Sequence, residues 1–148
     1  MMRNTKFRHQ ERGSTLVEFA IGASVFLMVM FAVIEFGRAL WVHNALSDAA
    51  RRGARYAVTH SSADVDAVKN VVVYDDPAGG TKPLVDSLTT GNVNVDYSNF
   101  GLSRGTATVS ITDYQFNFVF PVVSTSIQMP GYATTLTAES VGLIPPNL

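Results

Sequence analysis

Residues 12–58 read RGSTLVEFAIGASVFLMVMFAVIEFGRALWVHNALSDAARRGARYAV. A basic residue and a glycine open this stretch, an almost unbroken apolar run follows, and a mixed polar and apolar pattern closes it. From 19 to 34 there are sixteen residues without a charge, none more polar than Ser24. At a rise of about 1.5 Å per residue, a helix of this run covers about 24 Å. A hydrocarbon core is about 30 Å thick and wants about 20 residues. Leu16 and Val17 on one side and residues 36–40 on the other make up the length, bringing Glu18, Glu35 and Arg38 to the edges. The reading is a transmembrane helix over 14–40.

Glu18 is the residue that needs a reason. An ionisable side chain in a membrane segment costs about 2.5–3.5 kcal/mol at mid-helix on insertion scales, and is functional by default. Two readings stay open at this point: Glu18 sits at headgroup level, where it costs little, or it has a partner. Gly13 stands five residues before it. Cleavage after Gly13 would make Ser14 the new N-terminus and put its amine one helical turn from the Glu18 carboxylate, on the same face. Pairing the two charges lowers the cost of keeping either in lipid.

The leader, Gly13, four residues and then Glu18-Phe19 resemble the prepilin-peptidase site of type IV pilins, in the form found in tight-adherence (Flp/Tad) pilus proteins. The continuation Ile34-Glu35-Phe36-Gly37-Arg38-Ala39, then Asn44-Ala45-Leu46, then residues 49–57 (AARRGARYA), is similar to the TadE-like family of minor pilins or pseudopilins. A looser likeness runs through Asn70-Val71-Val72-Val73-Tyr74, Pro83-Leu84-Val85, Leu88-Thr89 and the strand-like C-terminal part. The resemblance implies a processing site at Gly13 and Ser14, with Glu18 and Phe19 serving peptidase recognition and assembly. It also implies partners: a prepilin peptidase, other Flp/Tad pilus subunits, inner-membrane assembly proteins and the lipid bilayer. Two departures stand out. Phe19 replaces a common tyrosine, and Asp75-Asp76 follows Tyr74 where a glycine-containing turn is expected.

Charge supports an orientation. Residues 1–13 carry Arg3, Lys6, Arg8 and Arg12 against Glu11, whereas residues 60–148 carry three bases against eight acids. A basic flank before the span and an acidic remainder after it follow the positive-inside rule. The expectation from charge is a single-pass protein with its N-terminus cytoplasmic and the rest outside; the resemblance implies that the membrane is the bacterial inner membrane and the rest periplasmic or extracellular. The acidic outer part argues against a nucleic-acid partner, which needs a basic face. The chain has no cysteine, so disulfides and thiolate metal sites are excluded. A cleaved secretory signal ending near Gly37-Arg38-Ala39 and an uncleaved anchor are the competing readings of the N-terminus. The first has an apolar core longer than usual and charges around its cleavage site.

The expected division is a leader over 1–13, the span over 14–40, an extracytoplasmic helical continuation over 41–60 and a β-rich part over 61–148. With no proline before Pro77, nothing interrupts a helix from Ser14 to about Val58. Beyond the span, Ala39, Val42, Leu46, Ala49, Gly53 and Tyr56 alternate spacings of three and four, one stripe along a helix. Ala49, Gly53 and Ala54 are candidate helix-packing positions, small enough to admit another backbone. That backbone belongs to a neighbouring subunit's helix, to this chain's own sheet, or to each at different turns.

After His60-Ser61-Ser62, Ser62 is expected to cap a short helix through Asp64, Asp66 and Val68. Residues 70–74 are β-branched and end in the turn signal Asp75-Asp76-Pro77-Ala78-Gly79-Gly80, so they read as a strand. Residues 83–90 read as a loop. Val93, Val95 and Tyr97 alternate with polar residues, as do Ala107, Val109 and Ile111. Both are periods of half-buried strands. The second alternation continues through Tyr114, Phe116, Phe118 and Phe120 to Pro121, and reads as one long strand. Residues 132–141 form the last strand, antiparallel to it, after an exposed linker over 122–131. The fold class is α+β: a long N-terminal transmembrane and amphipathic helix, then a small, mainly antiparallel β-sheet domain packed on its outer half.

No motif of a serine hydrolase, nucleotide-binding loop or zinc peptidase occurs. His43 reads as an interfacial polar residue, and His60 with Asp64 as helix-end residues rather than catalytic ones. Asp64, Asp66, Asp75 and Asp76 lack the spacing of a calcium loop. The expectation is no enzyme, no metal and no cofactor. Alongside the pilin-like reading stands a membrane-tethered periplasmic binding or adhesin module using the aromatic row as a ligand surface, and a remote third, an anchored hydrolase.

Overall fold

The computed structural model describes residues 8–99, 105–119 and 126–137, and for residues 8–12 the backbone only. The chain divides into two units at Arg38–Ala39. One helix, α1 (Arg8–Thr59), contributes to both.

In the first unit the apolar side chains of α1 face outward. Leu16, Val17, Phe19, Ile21, Phe26 and Phe31 are all exposed. The Ser24 hydroxyl donates to the Ala20 carbonyl at 2.7 Å, which satisfies it without a partner outside the helix. Arg38 donates from Nε at 3.2 Å and from Nη2 at 2.9 Å to Glu35 Oε2. These opposite charges, three residues apart, neutralise one another on the helix surface.

The second unit begins with the outer part of α1, which buries Val42, Leu46, Ala49, Ala50, Ala54, Ala57 and Val58. Thr59 ends the helix by returning its hydroxyl to the carbonyls of Arg55 and Tyr56, at 3.1 and 3.0 Å. The following helix, α2 (Val65–Tyr74), corrects two expectations. Its N-cap position is Asp64, not Ser62, and residues 70–74 are helical rather than extended. The cause is tertiary. Val68, Val71, Val72 and Val73 are buried, and spacings of three and four put Val68, Val71 and Val72 on one helical face. Burial of this face outweighs the few tenths of a kcal/mol by which valine disfavours a helix.

A three-stranded antiparallel sheet has the order β1-β2-β5, from β1 (Val93–Ser98), β2 (Thr106–Ile111) and β5 (Tyr132–Thr137). The central strand sends Ala107, Val109 and Ile111 fully into the core, each such Val or Ile contributing about 1.5–3 kcal/mol. On the other face, Thr108 and Thr135 share a hydroxyl hydrogen bond of 2.8 Å across the register pair.

The expected long strand after Gly105 is broken. Asp113 sits at φ 57°, a left-handed conformation that no strand tolerates. Asn92 holds the turn by donating from Nδ2 to the carbonyls of Thr112 and Asp113, both at 3.2 Å. Beyond it, β3 (Gln115–Asn117) pairs with β4 (Ser126–Gln128) in a separate two-stranded sheet. The expected linker over 122–131 therefore contains a strand. Phe120, Pro121 and residues 138–141 lie outside the described residues.

Candidate functional site

The positions singled out in the sequence fall into two places. Gly13, Ser14, Glu18 and Phe19 lie on the first unit's part of α1, whereas Ala49, Gly53 and Ala54 lie in the second unit.

Gly13, Ser14, Val17, Glu18 and Ile21 line one face of α1, as the three- and four-residue spacing requires. All are exposed. A Cβ built on Gly13 would meet nothing within 4 Å, so packing does not require the glycine. The bond from Gly13 to Ser14 lies inside the helix. Glycine there weakens the helix by about 1 kcal/mol relative to alanine and eases local unwinding at that bond.

The small-residue positions are occupied by this chain itself. Ala49 and Ala54 are fully buried in the core. Gly53 faces Val72 of α2, and a Cβ placed on it would also stand 3.2 Å from Val109 Cγ1 of β2. Of the two backbones left open by the sequence, these residues receive the sheet and helix of their own unit.

Three arrangements were not legible in the sequence. His43 Nδ1 lies 2.8 Å from the Tyr132 hydroxyl, tying α1 to the start of β5. Arg52 Nε stands 3.1 Å from Asp75 Oδ1, close enough for an ion pair but off the line of a hydrogen bond. Asp75 itself adopts φ 62° and returns its N–H to Val71 O. That is the role glycine fills after helices, so the aspartate standing where a glycine turn was expected does the same work. Burial raises the Tyr132 hydroxyl above the ordinary tyrosine range. Burial, and secondarily the Asp64 carboxylate, does the same for Tyr97.

The first two aromatics of the row are core, Tyr114 4% exposed and Phe116 2%, and Phe118 is partly buried against that core. The Tyr114 hydroxyl donates to Asp86 O at 2.8 Å and fixes the 83–90 loop. His60 stacks on Tyr56 with ring centroids 3.7 Å apart. Among the described residues there is no cluster of three or more histidine or acidic side chains able to hold a metal.

These features define a chain with one N-terminal helix long and apolar enough to cross a membrane, compatible with a single-pass membrane protein, joined to a small α+β unit. Residues 13–55 match the family model described as TadE-like protein, so the chain carries a TadE-like segment. Comparisons with curated proteins and with solved structures gave no match.

Proposed function

We propose that this chain is a minor pilin or pseudopilin of a Flp/Tad pilus, made as a prepilin and cut between Gly13 and Ser14 by a membrane prepilin peptidase. The observation that carries the reading is the TadE-like match, which starts at Gly13 and spans both the apolar run and the buried outer helix. In this reading the basic leader stays in the cytoplasm and the α+β unit lies outside the inner membrane. The chain is a substrate and a structural subunit rather than an enzyme. Glu18 pairs with the Ser14 amine freed by cleavage, its own or that of an adjacent subunit. The exposed apolar side chains of α1 pack in lipid and among other pilus subunits and inner-membrane assembly proteins.

N-terminal sequencing from cells with and without the peptidase tests this. Ser14 is expected as the first residue in the first case, and the intact leader in the second and in Gly13→Leu. Full-length protein in cells with an active peptidase would overturn the reading.

A further inference from the structure

The strand β5 forms one edge of the three-stranded sheet: among the described residues, no strand pairs with its side away from β2. One bond fixes the direction of its backbone groups. Asn92 stands opposite Thr112, one step beyond the register pair of Val93 and Ile111, and Thr112 N donates to Asn92 O at 2.9 Å. In an antiparallel ladder, pairs that exchange backbone bonds alternate with pairs that do not. The bonded pairs of β1 and β2 are therefore Asn94 with Ser110, Asp96 with Thr108 and Ser98 with Thr106. That leaves Ala107, Val109 and Ile111 to bond Leu136, Thr134 and Tyr132 of β5. Ala133 and Thr135 consequently direct their N–H and C=O groups out of the sheet, and both residues are exposed. The 2.8 Å hydroxyl contact of Thr108 with Thr135 agrees, because side chains approach most closely in pairs that exchange no backbone bond.

Such an edge is a template for another strand, and proteins blunt it with proline, lysine and other charges, or bulges. β5 has none of these: residues 132–137 read YATTLT, and their register with β2 runs without interruption. α1 flanks the start of the strand, where Ser47, Ala50 and Arg51 line a groove of about 240 Å³ with residues 131–134. An exposed strand edge takes an extended peptide, whose backbone supplies the bonds and whose alternate side chains give specificity. Ser47 and Ala50 are short and leave room for such side chains. Arg51 adds a charge. Its guanidinium meets Asp48 at 3.4 Å with the two side chains 64% and 62% exposed, a pairing weak enough to yield to another carboxylate. β5 itself holds no carboxylate, so the β5 strand of a second copy would leave Arg51 unmet. We propose that the edge of β5 beside Arg51 receives an extended strand from a different protein chain. That strand bonds to the backbone of Ala133 and Thr135 and carries an acidic residue that pairs with Arg51. The proposal uses residues of the second unit only and stands apart from the processing at Gly13.

Amide hydrogen exchange tests this on the full-length chain, isotopically labelled and held in detergent micelles. The probe is a synthetic peptide of alternating threonine and valine ending in a glutamate, compared with its lysine counterpart. In the protein without peptide, Ala133 and Thr135 are expected to exchange fast, and Thr134, bonded across to Val109, slowly. The glutamate peptide should slow Ala133 and Thr135 several-fold and the lysine peptide less, with the order reversed in Arg51→Glu. Thr135→Pro removes an outward N–H and spares the ladder to β2, so this variant should stay folded and lose the protection at Ala133. If it does not fold, the exposed Arg51→Glu carries the test. No protection at millimolar peptide overturns the proposal, and protection blind to the peptide's charge overturns the part assigned to Arg51. Slow exchange of Ala133 and Thr135 without peptide also overturns it: a second copy holds the edge if the protection fades on dilution, and the chain's own residues hold it if the protection persists.

Discussion

Gly53 of α1 and Val72 of α2 approach so closely that a methyl group on the glycine would collide with the valine side chain, with Val109 of β2 closing the other side. Val72 is fully buried and β-branched, so it has little freedom to turn away. The contact couples the helix carrying the TadE-like segment to the part of the chain beyond the family match.

Gly53→Ala should therefore destabilise the second unit. Overpacking costs about 1–3 kcal/mol, while alanine returns about 1 kcal/mol of helix propensity, leaving a net loss of up to about 2 kcal/mol. Gly37→Ala, with nothing within 4 Å of its added carbon, should show no loss. Denaturant titration of the isolated subunit measures both. An unchanged midpoint for Gly53→Ala would return this position to a role between subunits.

At Asp75, conformation should outweigh charge. Its ion pair with Arg52 is partly solvated, with side chains 58% and 35% exposed, and such pairs contribute about 0–1 kcal/mol. Glycine relieves the left-handed backbone by a similar amount. Asp75→Gly should thus be near neutral, and Asp75→Val should lose about 1–2 kcal/mol or more. Equal losses in thermal melts of the two variants would identify the ion pair as the dominant contribution.

Tyr97 and Tyr132 make stability fall at alkaline pH. Their folded-state values are raised, so above the ordinary value of about 10 the unfolded chain gives up its phenolic protons first. Stability from these groups is complete below that value and is lost as pH rises toward the folded-state values. The denaturation midpoint should be flat near neutrality and drop above the ordinary tyrosine range. Tyr97→Phe should make the alkaline limb shallower; a limb of unchanged slope would assign it to other groups.

Glu18 should matter to assembly more than to folding. Its side chain is exposed on the first unit and the core is built from residues of the second, so Glu18→Leu should leave the folded unit and its melting unaltered. Under the pairing proposed for the cleaved chain, the same variant should reduce incorporation into sheared pili, read by immunoblot. Full incorporation would remove the need for the charge pair.

The sequence alone determined the features governed by local chemistry. The helix was legible from an uncharged run, the absence of proline before Pro77 and alternating three- and four-residue spacings, all of which act within a few turns. Val93, Val95 and Tyr97, and Ala107, Val109 and Ile111, announced their strands because one face is buried and the other polar. Tertiary structure decided the rest. Residues 70–74 have the composition of a strand and form a helix because their valine face is buried where α2 meets Gly53 of α1 and the neighbouring strand β1. Tyr114 and Phe116 continue the alternation of β2 and yet leave its sheet, because Asn92, distant in sequence, holds the turn at Asp113. Gly53 could have served a neighbour or its own domain, and only the arrival of Val72 and Val109 selected between them. Where a residue's partner lies tens of positions away, its role is set by which surface reaches it, and local pattern carries no record of that.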